Sequence, residues 1–233
     1  MAIAGIVITQ VVMPLQERAA EEERIAQEQA RVAEEIQALS TAQIESTVEF
    51  GHYEQDNDES NGAEPVSWIL LAVEDGKALM LAEKGLDFKQ YNSAVKSYNY
   101  KGVTTYVYNS EYASSQVKTW LEQEFETQVF SEKELALLTD SATLLTEDEF
   151  SNLVPDAYRK CSLTECAFQK RLTYQQQTQY TSIDYEYESE WWLKSDKCAW
   201  IEMDGSIHHG IVPTVSSAVR PAIWVDVNTS NGQ

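Results

Sequence analysis

"AVRPAIWVDV" (residues 218–227) sets a permanent charge, Arg220, and a residue with no backbone donor, Pro221, inside an alternating apolar stretch near the end of the sequence. In an extended chain Val219, Ile223, Val225 and Val227 share one face, with Pro221 among them. Proline cannot donate to a ladder, which predicts a sheet edge or the first part of a strand. Arg220 faces the opposite way and carries five donors in a rigid fork, so it is expected to clamp carbonyls or a carboxylate of inner loops. Arg220 and Pro221 are therefore expected to be structural residues.

Working outward, the C-terminal third holds two more strand signals. "EWWLK" (190–194) is one. "CAWIEMDGSIHH" (198–209) is the other, with a hairpin turn at Asp204-Gly205. If 190–194 is a strand, Trp191 and Trp192 must point to opposite faces. The outward ring then either joins Tyr185 and Tyr187 in a surface patch for a glycan or protein partner, or is covered by loops or helices. His208 and His209, adjacent in a strand, also point apart and cannot share a metal simply.

The middle of the chain is helical. In "ASSQVKTWLEQEF" (113–125), Ala113, Val117, Trp120, Leu121 and Phe125 line one face, which gives Trp120 a structural role. "FSEKEL" (130–135) and "LLTEDEF" (144–150) carry capping boxes, Ser131 with Glu134 and Thr146 with Glu149, which predict short helices from 132 and 147. Residues 156–172 suggest a third short helix bearing Cys161 and Cys166. Before these, strands are expected at "VEFGHYEQ" (48–55) and at "PVSWILLAVEDGKALMLAEKGL" (65–86), folded at Asp75-Gly76. The Ser-, Asn- and Tyr-rich stretch 91–112 reads as irregular surface structure.

The N-terminal region differs. Residues 1–14 are apolar but too short to span a bilayer, and they are expected to be the remnant of a membrane anchor. Residues 15–45 follow with "LQERAAEEERIAQEQARVAEEIQALS", strong helix formers without Gly or Pro. Ile25, Val32 and Leu39 recur every seven residues. Glu22 and Gln29 interrupt the companion seam, so a solvated stalk of about 35 Å is expected in preference to a coiled coil. Helix-mediated oligomerisation is the alternative. Residues 46–229 read as one α+β domain, with 230–233 as a tail.

Composition narrows the function classes. With 17 basic and 38 acidic side chains the net charge is −21, which disfavours nucleic acid and anionic lipid as partners. Three Cys cannot make a disulfide framework. "DNDESNG" (56–62) imitates an EF-hand spacing, but Gly62 comes one place late and Ser67 stands where a bidentate Glu is required. No cofactor or metal site is expected, and no nucleophile triad or phosphate loop is recognisable.

The ordered set "VEFGHYEQ", "EPVSWILLAVEDGKALMLAEKGLDFKQYN", "VKTWLEQEF", "FSEKEL", "LLTEDEF", "EWWLK", "DGSIHHG" and "AVRPAIWV" resembles the DUF6273 family, a bacterial domain of unknown function, over roughly residues 46–227. Lys194, Glu122-Gln123 and Cys166 depart from its usual pattern. The resemblance implies a C-type lectin-like fold, shared with formylglycine-generating enzymes, with a ligand face on late loops, here 174–190 and 202–216. The expected function is a non-enzymatic extracytoplasmic binding or structural domain for an unknown protein or glycan, with Tyr185, Tyr187, Trp191, Trp192, His208 and His209 as candidate contacts. A formylglycine-generating-type oxidase using Cys161 and Cys166 is the enzymatic alternative.

Overall fold

The structure, a computed structural model, describes residues 15–178 and 187–228. It is α+β: a long N-terminal helix followed by a curled, largely antiparallel β-system with short helices packed on it.

The first sheet has the order β1-β2-β3-β13, from β1 (Thr47–Tyr53), β2 (Glu64–Glu74), β3 (Lys77–Ala82) and β13 (Ala222–Asp226), all antiparallel. β2 and β3 fold back at Asp75-Gly76, both at positive φ (49° and 76°), as a tight Asp-Gly hairpin turn requires. Both faces of the sheet are covered, which explains the nearly unbroken apolar run "WILLAV". Trp68, Leu70, Met80, Ile223 and Val225 enter one core, while Ile69, Leu71, Leu79, Leu81 and Ala222 enter a second on the other side. Gly51 lies in an irregular stretch of β1, where an added Cβ would come within 2.7 Å of the Phe130 ring.

The second sheet, β11-β10-β9-β12-β4, is built from β4 (Asp87–Gln90), β9 (Trp191–Trp192), β10 (Trp200–Ile201), β11 (Ile207–His208) and β12 (Ser216–Val219). Its only parallel pairing among the described residues joins β12 to β9. β12 and β13 thus belong to different sheets, and Arg220-Pro221 is the joint between them. Arg220 is fully buried. Its Nε donates to the Ala82 carbonyl at the end of β3 (2.7 Å), its Nη1 to the Tyr158 carbonyl (2.6 Å), and its guanidinium lies 4.9 Å from the Trp191 ring. Pro221 stands just ahead of β13, and its carbonyl accepts from Ala82 N. The far edge of β13 is covered by residues 137–143, whose backbone pairs with Ala222, Trp224 and Asp226.

The helices grow from the signals in the sequence. α2 (Gln116–Trp120), a π-helical turn (Leu121–Phe125) and α3 (Glu126–Val129) run consecutively and bury Val117, Trp120, Leu121 and Phe125; Ala113 is exposed in a 3-10 turn before them. Both capping boxes form, at the starts of α4 (Glu132–Leu135) and α5 (Glu147–Leu153). The remaining helix, α6, covers Glu165–Thr178. The helix expected over 156–172 therefore starts later: Cys161 lies in a short strand, β7 (Cys161–Ser162), paired with β8 (Glu188–Ser189), and only Cys166 is helical. The stretch 91–112 is also more regular than expected. It forms a hairpin of β5 (Ala94–Tyr100) and β6 (Val103–Tyr108) that leaves Tyr98, Tyr100, Val103 and Tyr106 exposed.

The N-terminal helix α1 (Leu15–Thr41) is not a free stalk along its whole length. Val32 and Leu39 are buried against the domain, so the heptad positions expected to face water or a partner helix serve this chain's own core. Only Ile25 of that series is exposed. The docking is also polar. Arg31 donates to Glu35 (2.5 Å) and to Glu134 of α4 (2.8 Å), beside His52 Nδ1 of β1 (3.4 Å). Glu134, 1% exposed, is the capping-box residue of α4, so one carboxylate both starts that helix and holds α1. No helix among the described residues is long and apolar enough to cross a membrane, and the apolar residues 1–14 lie outside them.

Two outcomes are expected. Arg220→Ala removes both carbonyl bonds and a fully buried side chain, at a cost of about 3 kcal/mol, or roughly 6–12 °C in Tm by scanning calorimetry. The second concerns Glu35, whose carboxyl is pushed up to about 7 by burial and by the neighbouring Glu134 carboxylate. A carboxyl raised on folding contributes stability below its unfolded value that is lost as pH rises through the folded one. Glu134 is held below its usual range, with Arg31 bonded to it against the opposing effect of burial, and His52 is lowered by burial and by Arg31, so both act in the opposite sense. Tm of wild type minus Tm of Glu35→Gln isolates the Glu35 contribution, and this signed difference should fall as pH goes from 5 to 8, with the wild type becoming the less stable of the two.

Candidate ligand-binding cleft

The surface patch expected around the Trp pair does not form. Trp191 and Trp192 do point to opposite faces, but both faces are covered and both rings are fully buried. Trp191 packs in the second core against Phe150 (5.5 Å), with its indole N–H donating to the Arg159 carbonyl (2.9 Å). Trp192 packs in the first core against Tyr91 (5.2 Å) and donates to the Lys89 carbonyl (2.9 Å). These are core residues and not ligand contacts. Tyr187 is exposed, with its ring 4.7 Å from Phe168 and its hydroxyl donating to Glu165. Tyr185 lies outside the described residues. The two histidines separate as expected: His208 lies 5.6 Å from the Trp200 ring, and His209 Nε2 meets Glu147 at 2.8 Å.

What the late segments build instead is a narrow cleft of about 150 Å³ between α6 and the second sheet, drawing on residues 174–175 and 188–190 and on residues within 202–216. That space is comparable to an engineered cavity that holds benzene. Its position follows from register. Trp200 pairs directly with Trp192 across β10–β9, so its half-buried ring continues the first core out to the surface. Phe88 of β4 and Tyr174 of α6 face each other with ring centroids 5.8 Å apart. α6 is held at this distance by Lys170, which donates to the buried Asp87 of β4 (2.8 Å).

Carboxylates complete the cleft. The Glu190 main-chain carbonyl accepts from Ala218 N (3.0 Å), Ser217 Oγ (2.6 Å) and Ser189 Oγ (2.9 Å), which pins the residue against β12, where it lines the cleft. Glu202 accepts from the Trp200 indole N–H (2.9 Å). Arg171 donates to the Glu188 carbonyl (2.6 Å), and its guanidinium lies 4.9 Å from the Phe168 ring. Burial, and secondarily the Glu202 charge, lifts the Glu190 carboxyl above the ordinary carboxylate range; Arg171 opposes this in part. Burial lowers Arg171 in turn.

Among the described residues, two clusters elsewhere could hold a cation by proximity. Glu54, Asp56 and Glu64 converge in the 54–64 loop. There Asp56 and Glu64 accept from the loop's own backbone and from Asn61, while Asp58 accepts from Ser60. Glu35, His52 and Glu134 converge under α1, where the Arg31 guanidinium already holds the cationic position. The thiols do not converge. Burial pushes the Cys161 and Cys166 thiols up, which disfavours the thiolates that an oxidase site built on this pair would need. No protein-family model, curated protein or solved structure matches this chain.

Sequence reasoning reached the segments that form the cleft but not its residues. Trp200 carried a legible signal, because it alternates with the inward Ile201. Phe88 and Tyr174 carried none, since they meet only when α6 packs on β4. Titration of Glu190 by carboxyl-selective NMR should place its pKa above that of an exposed glutamate. Glu202→Gln should bring it down without changing the fold.

Proposed function

We propose that this chain is a non-enzymatic binding domain, working outside the cytoplasm, that takes its ligand in the cleft between α6 and the second sheet. One observation carries the reading: aromatic rings from β4, α6 and β10 and a desolvated carboxyl from the 190 segment meet in a single opening. Apolar walls with a few placed polar groups are the ordinary make-up of a small-ligand site.

The finer fold reading belongs here too. A C-type lectin-like domain of the DUF6273 type is supported by the return of β13 to the sheet begun by β1–β3. Support also comes from the lock built on Arg220-Pro221. In this reading residues 1–14 anchor the chain and the exposed first half of α1 spaces the domain from a membrane. Oligomerisation through α1 is disfavoured by the burial of Val32 and Leu39 in the chain's own core.

Glycan and peptide arrays probed with the full chain should yield ligands whose capture is lost in Trp200→Ala. Capture of nothing, or capture indifferent to Trp200, would sink the binding reading. Protease added to intact native cells should cleave the chain; full protection would overturn the location.

A further inference from the structure

We infer that the cleft is selective for an organic cation, an alkylammonium group such as the end of a lysine side chain. This rests on the binding reading above and names the ligand chemistry. The walls are Phe88, Tyr174 and Trp200, whose ring faces present negative electrostatic potential. Among the described residues the polar lining contains three glutamates, Glu188, Glu190 and Glu202, against one cation, Arg171. Arg171 is already committed to the Glu188 carbonyl and to the Phe168 ring. Among the described residues the Glu190 carboxyl accepts from its own main-chain N–H and from no side chain, and it is partly withdrawn from water. A buried carboxyl next to a second one is unfavourable as an anion until a positive charge joins them. An ammonium entering between the rings supplies that charge and up to three donors. The alkyl chain behind it suits the apolar walls of Met203, Ile211 and Val215, and a volume of about 150 Å³ admits an ammonium with a short chain. A neutral sugar would stack on the rings but would leave the carboxyl pair uncompensated.

Proton linkage follows from the same geometry. Glu190 is raised in the free protein, with Glu202, Glu188 and Arg171 as the charged groups around it. Cation binding requires the ionised form, so affinity should rise with pH until Glu190 is fully deprotonated and then level off.

The test is titration of the full chain with n-butylammonium chloride at fixed ionic strength, read on the Trp200 indole N–H resonance. 1-Butanol and methyl β-glucoside serve as neutral controls. Butylammonium is expected to bind at least tenfold more tightly than either control, and Glu190→Gln to weaken it at least tenfold with an unchanged melting curve. Glu202→Gln, at the mouth of the cleft, should weaken it less. Equal shifts with butanol or the glucoside would overturn the inference, as would undiminished butylammonium binding in Glu190→Gln or no response to butylammonium. Failure of the inference is distinguishable from failure of the binding reading. A ligand captured on an array in a Trp200-dependent way, displaced by glucoside and not by butylammonium, would keep the domain a binder and discard the cation.

Discussion

The structure depends on one buried charge. Arg220 sits where the chain leaves the second sheet for the first, and its guanidinium bonds the carbonyls of Ala82 and Tyr158 against the face of Trp191. A guanidinium withdrawn from water is costly unless its donors are met, and Nη2 has no hydrogen-bond partner among the described residues. Burial accordingly lowers the Arg220 pKa, though arginine stays charged at any ordinary pH. The geometry explains why the cost is borne. Three segments, ending near 82, 158 and 220, have free carbonyls or turns at one point in the interior, and only a long planar fork reaches two of them at once.

From that joint the two-core arrangement follows. A sheet with water on one face would show alternating polar and apolar residues, whereas β2 and β3 are apolar on both sides because helices and the second sheet cover them both. The tryptophan pair on β9 continues the same logic, one ring to each core. α1 is held through Val32, Leu39 and the Arg31–Glu134 pair, and it leaves its first half to solvent. Its heptad spacing is real, yet the partner is the domain itself.

The cleft sits where this packing ends. Trp200 is the outermost ring of the first core, and Glu190 comes just before the buried Trp191, so the boundary between apolar interior and acidic exterior passes through one opening. In a chain of net charge −21, a carboxyl held half out of water beside another carboxyl is a local excess of a general property. Desolvation and aromatic walls convert that excess into selectivity.

The linear sequence determined the features that depend on near neighbours. The capping boxes at Ser131 and Thr146, the Asp75-Gly76 turn, the long helix and the opposite facings of Trp191 and Trp192 all rest on spacings of a few residues, which local backbone geometry enforces. The alternation around Arg220-Pro221 likewise announced a buried fork. Tertiary structure alone decided what covers each face: whether Trp192 meets solvent or Tyr91, whether Val32 meets a second helix or β1, and whether Phe88 meets Tyr174. The cleft belongs to that second class, since Phe88 comes from β4 while its other lining residues come from the late segments after residue 170. Burial is a property of what packs over a residue, and that information is spread over the whole chain.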